Sequence, residues 1–273
     1  MPDLDRVDVL YLSPHFDDVA FSCAGSLCHD IAHGLRAQVV TVFAGPPVSD
    51  LPLRPLHRSL LRHADVTHAA LHALWQQRRS EDLAAMAVLG SGWLHLEYAD
   101  AVFRPEIERW SDIWEGETPP DSLLPGQLAA RLLDLWQHSG RPRLVAPLAV
   151  GAHIDHRLVF AAVQQLESHG AQAAYYEELP YTLRSDLLDQ RLRTLGRDWE
   201  SRSVEVTPYM PQRITAACCY RSQIIGSFGS AERAALLLSQ LASMRSGSPN
   251  RFCERFWRRP PSASHASAKS EGR

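Results

Sequence analysis

Lysine is almost missing from this chain. Lys269 is the only one, so the basic residues, 28 in all, are otherwise arginine. Lys269 lies in a polar C-terminal stretch, which leaves no core lysine to form a Schiff base and no Walker lysine to hold a nucleotide phosphate. Cysteine is scarce and odd in number: Cys23, Cys28, Cys218, Cys219 and Cys253, with no C-x-x-C pair. That is a poor disulfide framework and matches no zinc–thiolate spacing, so a reduced, cytoplasmic setting is expected. A net charge of -3 with histidines neutral supplies no global basic field, and nucleic acid and anionic lipid are not expected partners. No apolar run approaches the length of a bilayer span. The opening MPDLDRVDVLYL carries acidic residues and no positive flank, unlike a signal peptide.

What is present is an alternation of strand and helix patterns. VDVLYL at 7–12 reads as a strand, DDVAFSCAGSLCHDIAHG from residue 17 as a helix stopped at Gly34, and RAQVVTVF at 36–43 as a second strand. This βαβ opening predicts an α/β fold with a parallel sheet. The tract 44–55, with four prolines, reads as a long loop, and 104–126 as irregular or lid-like. Between them lie a helical region at 57–89, with a break expected near Gln77–Ser80, and a short strand at 92–98. Further strands are expected at 143–148, 171–177 and 204–206. Further helices are expected at 123–139, 154–169, 211–220 and 231–245. No internal repeat and no composition shift divides the chain. The reading is one α/β domain over 1–259 and a disordered polar tail over 260–273.

Two segments carry the chemistry. SPHFDD at 13–18 and GAHIDH at 151–156 each follow an apolar strand pattern, and together hold three histidines and three aspartates. In open α/β sheets ligands collect beyond the carboxyl ends of strands, so two such segments can converge on one crevice. His15, Asp18 and His156 offer two nitrogens and a carboxylate to one zinc ion and leave a position open for water. Asp17 then remains as a base for that water. His153 remains as a donor to a developing oxyanion or an acid for the leaving nitrogen. Asp155 is placed to pair with a nearby imidazole. Each segment alone has a plainer reading, an Asp capping a helix or a His satisfying loop backbone. The match of two strand-to-helix junctions favours the metal. A His15, Asp17 and distant-His triad would instead suit a non-haem iron oxygenase, but that chemistry belongs to strand-rich folds. Arg54, Asp100 and Arg104, on or beside the proline-rich loops, are candidates to hydrogen-bond substrate hydroxyls or a carboxylate.

The chain resembles the LmbE-like, or PIG-L, family of zinc-dependent N-deacetylases. PHFDD at 14–18 and HIDH at 153–156 match that family's two motifs, with weaker likeness in RRSEDLAAMAVLG (78–90), YYEELPY (175–181), YRSQ (220–223) and ERFW (254–257). Phe16 stands where proline is common, and Val19 where many members have glutamate. The resemblance implies a Rossmann-like three-layer sandwich with a mostly parallel sheet. It implies zinc on His15, Asp18 and His156, Asp17 as general base, and His153 stabilising the oxyanion with Asp155 as its partner. It also implies a small-molecule acetamido sugar or conjugate as substrate. A member that kept its metal but only bound carbohydrate is the non-enzymatic alternative, and the intact Asp17 argues against it.

Overall fold

A computed structural model describes residues 6–48, 50–61, 65–120, 122–196 and 198–260. The chain runs β1 (Val9–Ser13), α1 (Asp18–Ser22), α2 (Ala24–Ala32), β2 (Ala37–Thr41), α3 (Pro55–Leu61), α4 (His68–Leu89) and β3 (Gly92–His95). It continues through α5 (Trp110–Glu115), α6 (Leu124–His138), β4 (Arg143–Pro147), α7 (Ile154–Ser168), β5 (Ala173–Tyr176) and α8 (Ser185–Leu195). It ends with β6 (Glu200–Glu205), α9 (Met210–Ala217), α10 (Arg221–Ser227), α11 (Ala231–Ser246) and β7 (Cys253–Arg258).

The strands form one seven-stranded sheet in the order β3-β2-β1-β4-β5-β7-β6. The first five are mutually parallel, and β7 and β6 complete the edge in antiparallel fashion. Successive side chains of a strand point to opposite faces, and β1 shows the consequence. Val9 and Tyr11 join one core with α1, α2, α4, α9 and α11, while Leu10 and Leu12 join another with α6 and α7. Both faces of β1 are covered, which is why its five residues are all buried and read as a continuous apolar run. The result is the expected α/β three-layer arrangement, Rossmann-like and mostly parallel.

The strand order reverses at β1, which has β2 on one side and β4 on the other. Leu10 pairs with Leu144 and Tyr11 with Val145. The two motif loops therefore leave adjacent strands at the topological switch point, the place where open α/β sheets receive ligands.

Several local expectations are corrected. The segment from Asp18 to Ala32 is two helices, because Cys23 adopts a non-helical φ of -146°. Conversely, α4 runs unbroken through Gln77–Ser80. Its ends are set by Thr67, which accepts the Ala70 N–H, and by left-handed Gly90 (φ 66°). The late strand is longer than expected and pairs with β7, a strand the sequence pattern does not announce. Most of the polar tail, residues 261–273, lies outside the described residues. The five cysteines are free. No helix among the described residues is long and apolar enough to cross a membrane.

Candidate metal centre and active site

Ser13 shapes the first motif loop. Its hydroxyl donates to the His15 carbonyl (2.6 Å) and accepts the Val19 N–H (3.2 Å), folding the chain back as α1 begins. The second loop is more constrained. Ala149 (φ 63°), Gly151 (φ 82°) and Ala152 (φ 62°) all lie in the left-handed region, which alanine disfavours by about 1–2 kcal/mol. Glu178 holds this backbone by accepting the N–H groups of Ala149 (2.6 Å) and Val150 (3.2 Å). A Cβ on Gly151 would lie 2.7 Å from the ring of Tyr181, so glycine there also admits that aromatic side chain.

His15, Asp18 and His156 come together from the two loops, with candidate ligand atoms all within 4.8 Å of one another. All three are buried. Asp18 Oδ2 is the hub. It accepts the His15 N–H (2.8 Å) and lies 3.3 Å from His15 Nδ1 and 3.4 Å from His156 Nε2. The outer nitrogens decide what the inner ones can do. His156 Nδ1 faces Glu178 Oε1 at 3.1 Å, and His15 Nε2 faces Asp155 Oδ2 at 2.9 Å. A carboxylate can only accept, and the outer contacts are shorter than those of the inner nitrogens to Asp18, so in the neutral rings the protons are better placed on the outer nitrogens. Two imidazole lone pairs and a carboxylate oxygen then face one another. His156 Nε2, fully buried, has no hydrogen-bond partner. An acceptor set of this kind is completed by a cation, and two nitrogens and one carboxylate suit zinc. The carboxylates behind both imidazoles are the usual support for such ligands.

His15, His153 and Asp155 also lie within ligand range of one another. In that cluster the Asp155 carboxylate already has a cation beside it, although its Oδ1 makes no aligned hydrogen bond. Asp155 Oδ2 takes His15 Nε2 and the Ala101 N–H (2.9 Å), and its Oδ1 lies 2.7 Å from Arg104 Nη1.

Asp17 occupies the N-cap of α1, yet its side chain makes no capping bond. Burial and the neighbouring Asp18 push its carboxyl up to about 6, against the pull of Arg78 and His15. This half-buried carboxylate is available to take a proton. His153 caps α7 by accepting the Asp155 N–H at Nδ1 (3.2 Å), so its proton belongs on Nε2. Burial above all holds it well below its ordinary pKa, which favours the neutral ring. The expected pairing of Asp155 with His153 is corrected: the two are linked through backbone, and the Asp155 carboxylate serves His15.

The three proposed substrate contacts fare differently. Arg54 donates its guanidinium to the carbonyls of Arg104, Pro105 and Ile107, and so braces that loop. Asp100 is buried, accepts the Val102 N–H and pairs with Arg78 (3.3 Å). Arg104 is also buried and turned to Asp155. Sequence reading missed Glu178, although YYEELPY was conspicuous, and the aromatic wall. Trp114 stands edge-on to His153 (4.9 Å) and to Tyr181 (5.5 Å), and Tyr181 edge-on to His156 (5.8 Å). Val19 is 1% exposed and packs in the sheet core, so its departure from glutamate is not turned to the crevice.

The PIG-L family model, described as GlcNAc-PI de-N-acetylase, matches residues 10–167, from β1 to the end of the helix that carries His156. The chain belongs to the PIG-L family. Similar curated proteins include the 2'-N-acetylparomamine deacetylases of Niallia circulans and Streptomyces fradiae. The first is 28% identical over 239 residues, covering 82% of this chain and 84% of that protein. The second is 29% identical over 225 residues, covering 81% and 75%. Among solved structures, the zinc inhibited form of teicoplanin deacetylase Orf2 superposes with a TM-score of 0.74 at 23% identity, over 94% of this chain and 100% of that one. That likeness is one of fold.

Proposed function

We propose that this PIG-L protein is a zinc-dependent N-deacetylase that hydrolyses the acetamido group of an N-acetylated amino sugar or sugar conjugate. The observation that carries the reading is the convergence of His15 Nδ1, Asp18 Oδ2 and the unpartnered His156 Nε2, beside an uncommitted Asp17. A zinc ion held by these three residues would supply a water of lowered pKa and polarise the amide carbonyl. Asp17 accepts the proton of the attacking water. His153 donates from Nε2 to the oxygen on which negative charge develops. The proton on Asp17 then goes to the departing nitrogen, so that amide and water become acetate and amine. Trp114 and Tyr181 wall the crevice beside both histidines and can pack against a sugar ring. The two paromamine-type relatives support an amino sugar set in a larger small molecule, and nothing in the site calls for a lipid or a polymer.

The test is acetate release from a panel of N-acetylglucosamine conjugates and N-acetylated aminoglycosides, run with zinc-loaded protein and with Asp17→Asn. The variant should keep its zinc and lose about a hundredfold or more in kcat, since an amide cannot accept the proton. Near-full activity of Asp17→Asn would assign the base to another group. Cleavage of amides other than acetamido sugars would overturn the substrate class but not the hydrolase.

A further inference from the structure

Arg104 is 6% exposed, an unusual place for a guanidinium. Its Nη1 is 2.7 Å from Asp155 Oδ1, its Nε is 3.2 Å from Glu106 Oε1, and its Cζ sits 5.5 Å from the centre of the Phe43 ring. None of its three nitrogens makes an aligned hydrogen bond. A buried arginine normally exploits its fork of donors. Here what it delivers is a positive charge at a fixed point.

That point matters because of what stands behind it. Asp155 is 0% exposed, and an ionised carboxylate removed from water is costly unless a cation compensates it. Its other two contacts, the Ala101 N–H and His15 Nε2, are both on Oδ2. His15 lies between two carboxylates, Asp155 on one nitrogen and Asp18 on the other. A neutral imidazole has one proton to place. On Nε2 it satisfies Asp155 and leaves the Nδ1 lone pair facing Asp18 and His156. On Nδ1 it would turn an N–H into the cation position and close it.

We propose that Arg104 is a positioning residue that anchors anionic Asp155 against His15, keeps the His15 proton on Nε2, and so makes Nδ1 the metal donor. The inference rests on reading His15, Asp18 and His156 as the metal ligands.

The experiment measures two quantities: zinc affinity, by competition with a chromophoric chelator, and the ¹⁵N shifts of His15 in the zinc-loaded protein, which show which ring nitrogen keeps its proton. It compares the wild type with Arg104→Met, Arg104→Lys and Arg54→Met. Arg104→Met removes the charge and keeps most of the volume. It should bind zinc about 10–100-fold more weakly and lose the Nε2–H signature, the scale of effects seen for residues that orient metal ligands. Arg104→Lys keeps the charge and should recover most of both. Arg54→Met loosens the same loop without touching Asp155, and should stay close to wild type. Wild-type affinity and tautomer in Arg104→Met would overturn the proposal. So would an equal loss in Arg54→Met, which would make the effect one of loop packing. If Arg104→Met does not fold, Arg104→Lys decides: near-wild-type affinity supports a role for charge, and a tenfold loss overturns it. Failure of the wild type to bind zinc would remove the ligand assignment as well, whereas zinc bound equally by wild type and Arg104→Met removes the role of Arg104 alone.

Discussion

A histidine becomes a metal ligand through the nitrogen that does not touch the metal. The candidate ligand His156 illustrates this, because Glu178 stands behind its outer nitrogen and favours the lone pair on the inner one. Glu178 also gathers two N–H groups of the strained loop that precedes His156. Glu178→Gln should therefore weaken zinc binding about 10–100-fold while leaving the secondary structure intact. Chelator competition and circular dichroism measure the two effects, and unchanged affinity would show that the tautomer is set elsewhere. The motif residues themselves were legible in the sequence, because two His/Asp clusters at strand ends have few other uses. Their supports were not. Glu178 is 22 residues from His156, and Asp155 is 140 residues from the imidazole it serves. The residues alone leave open which imidazole Asp155 serves, the family resemblance pairs it with His153, and the fold brings it to His15.

At the scale of elements, strand and helix periodicity located β1, β2, β4, α6 and α7 to within about two residues. It failed where tertiary partners decide the structure. The break at Cys23 is one such place. The N–H groups of Gly25 and Ser26, at the start of α2, are taken by the Glu254 carboxylate at 2.9 and 2.7 Å. The carbonyls of Phe21 and Ser22, at the end of α1, are taken by Arg213 Nη2. Arg213 and Glu254 are themselves paired at 3.0 Å and almost fully buried. These partners meet the orphan groups of two helix ends, so no local cap needed to appear in the sequence. β7 was hidden for the same reason: CERFWR carries charges on both of its faces, and one of them, Glu254, is buried because Arg213 awaits it. Glu254→Ala should destabilise the fold by about 3–5 kcal/mol, since it leaves the Arg213 charge buried and unpaired. Urea denaturation would register this, and a loss below about 1 kcal/mol would mean that water compensates the arginine. Gly151→Ala combines a left-handed φ with a collision against Tyr181, and should cost about 1–3 kcal/mol in the same measurement. A neutral result would mean that the Tyr181 ring swings aside.

For the whole molecule, the decisive feature is the order of the sheet. β1 and β4 are far apart in sequence and hydrogen-bonded in space, so two loops that share no local interaction face each other at the reversal point. The βαβ opening made a parallel sheet legible, but it could not say which later strand would lie beside β1. A ligand that bridges such loops binds the folded chain and not the unfolded one. Zinc at a hundredfold excess over its dissociation constant should add about 2.7 kcal/mol to stability, raising the melting temperature by a few degrees. Thermal unfolding with zinc, with chelator, and with His156→Ala in both conditions would check it. A zinc-induced rise that persists in His156→Ala would place the bound ion elsewhere.

The clamp between Glu254 and the start of α2 spans 228 and 229 residues of chain. The helix junction that follows His15 and Asp18 therefore cannot be fixed by its own stretch of chain. It is fixed only once β7 has joined the sheet and brought Glu254 to the start of α2. Contacts of such sequence separation close slowly, so the first motif should be among the later parts of the fold to become rigid.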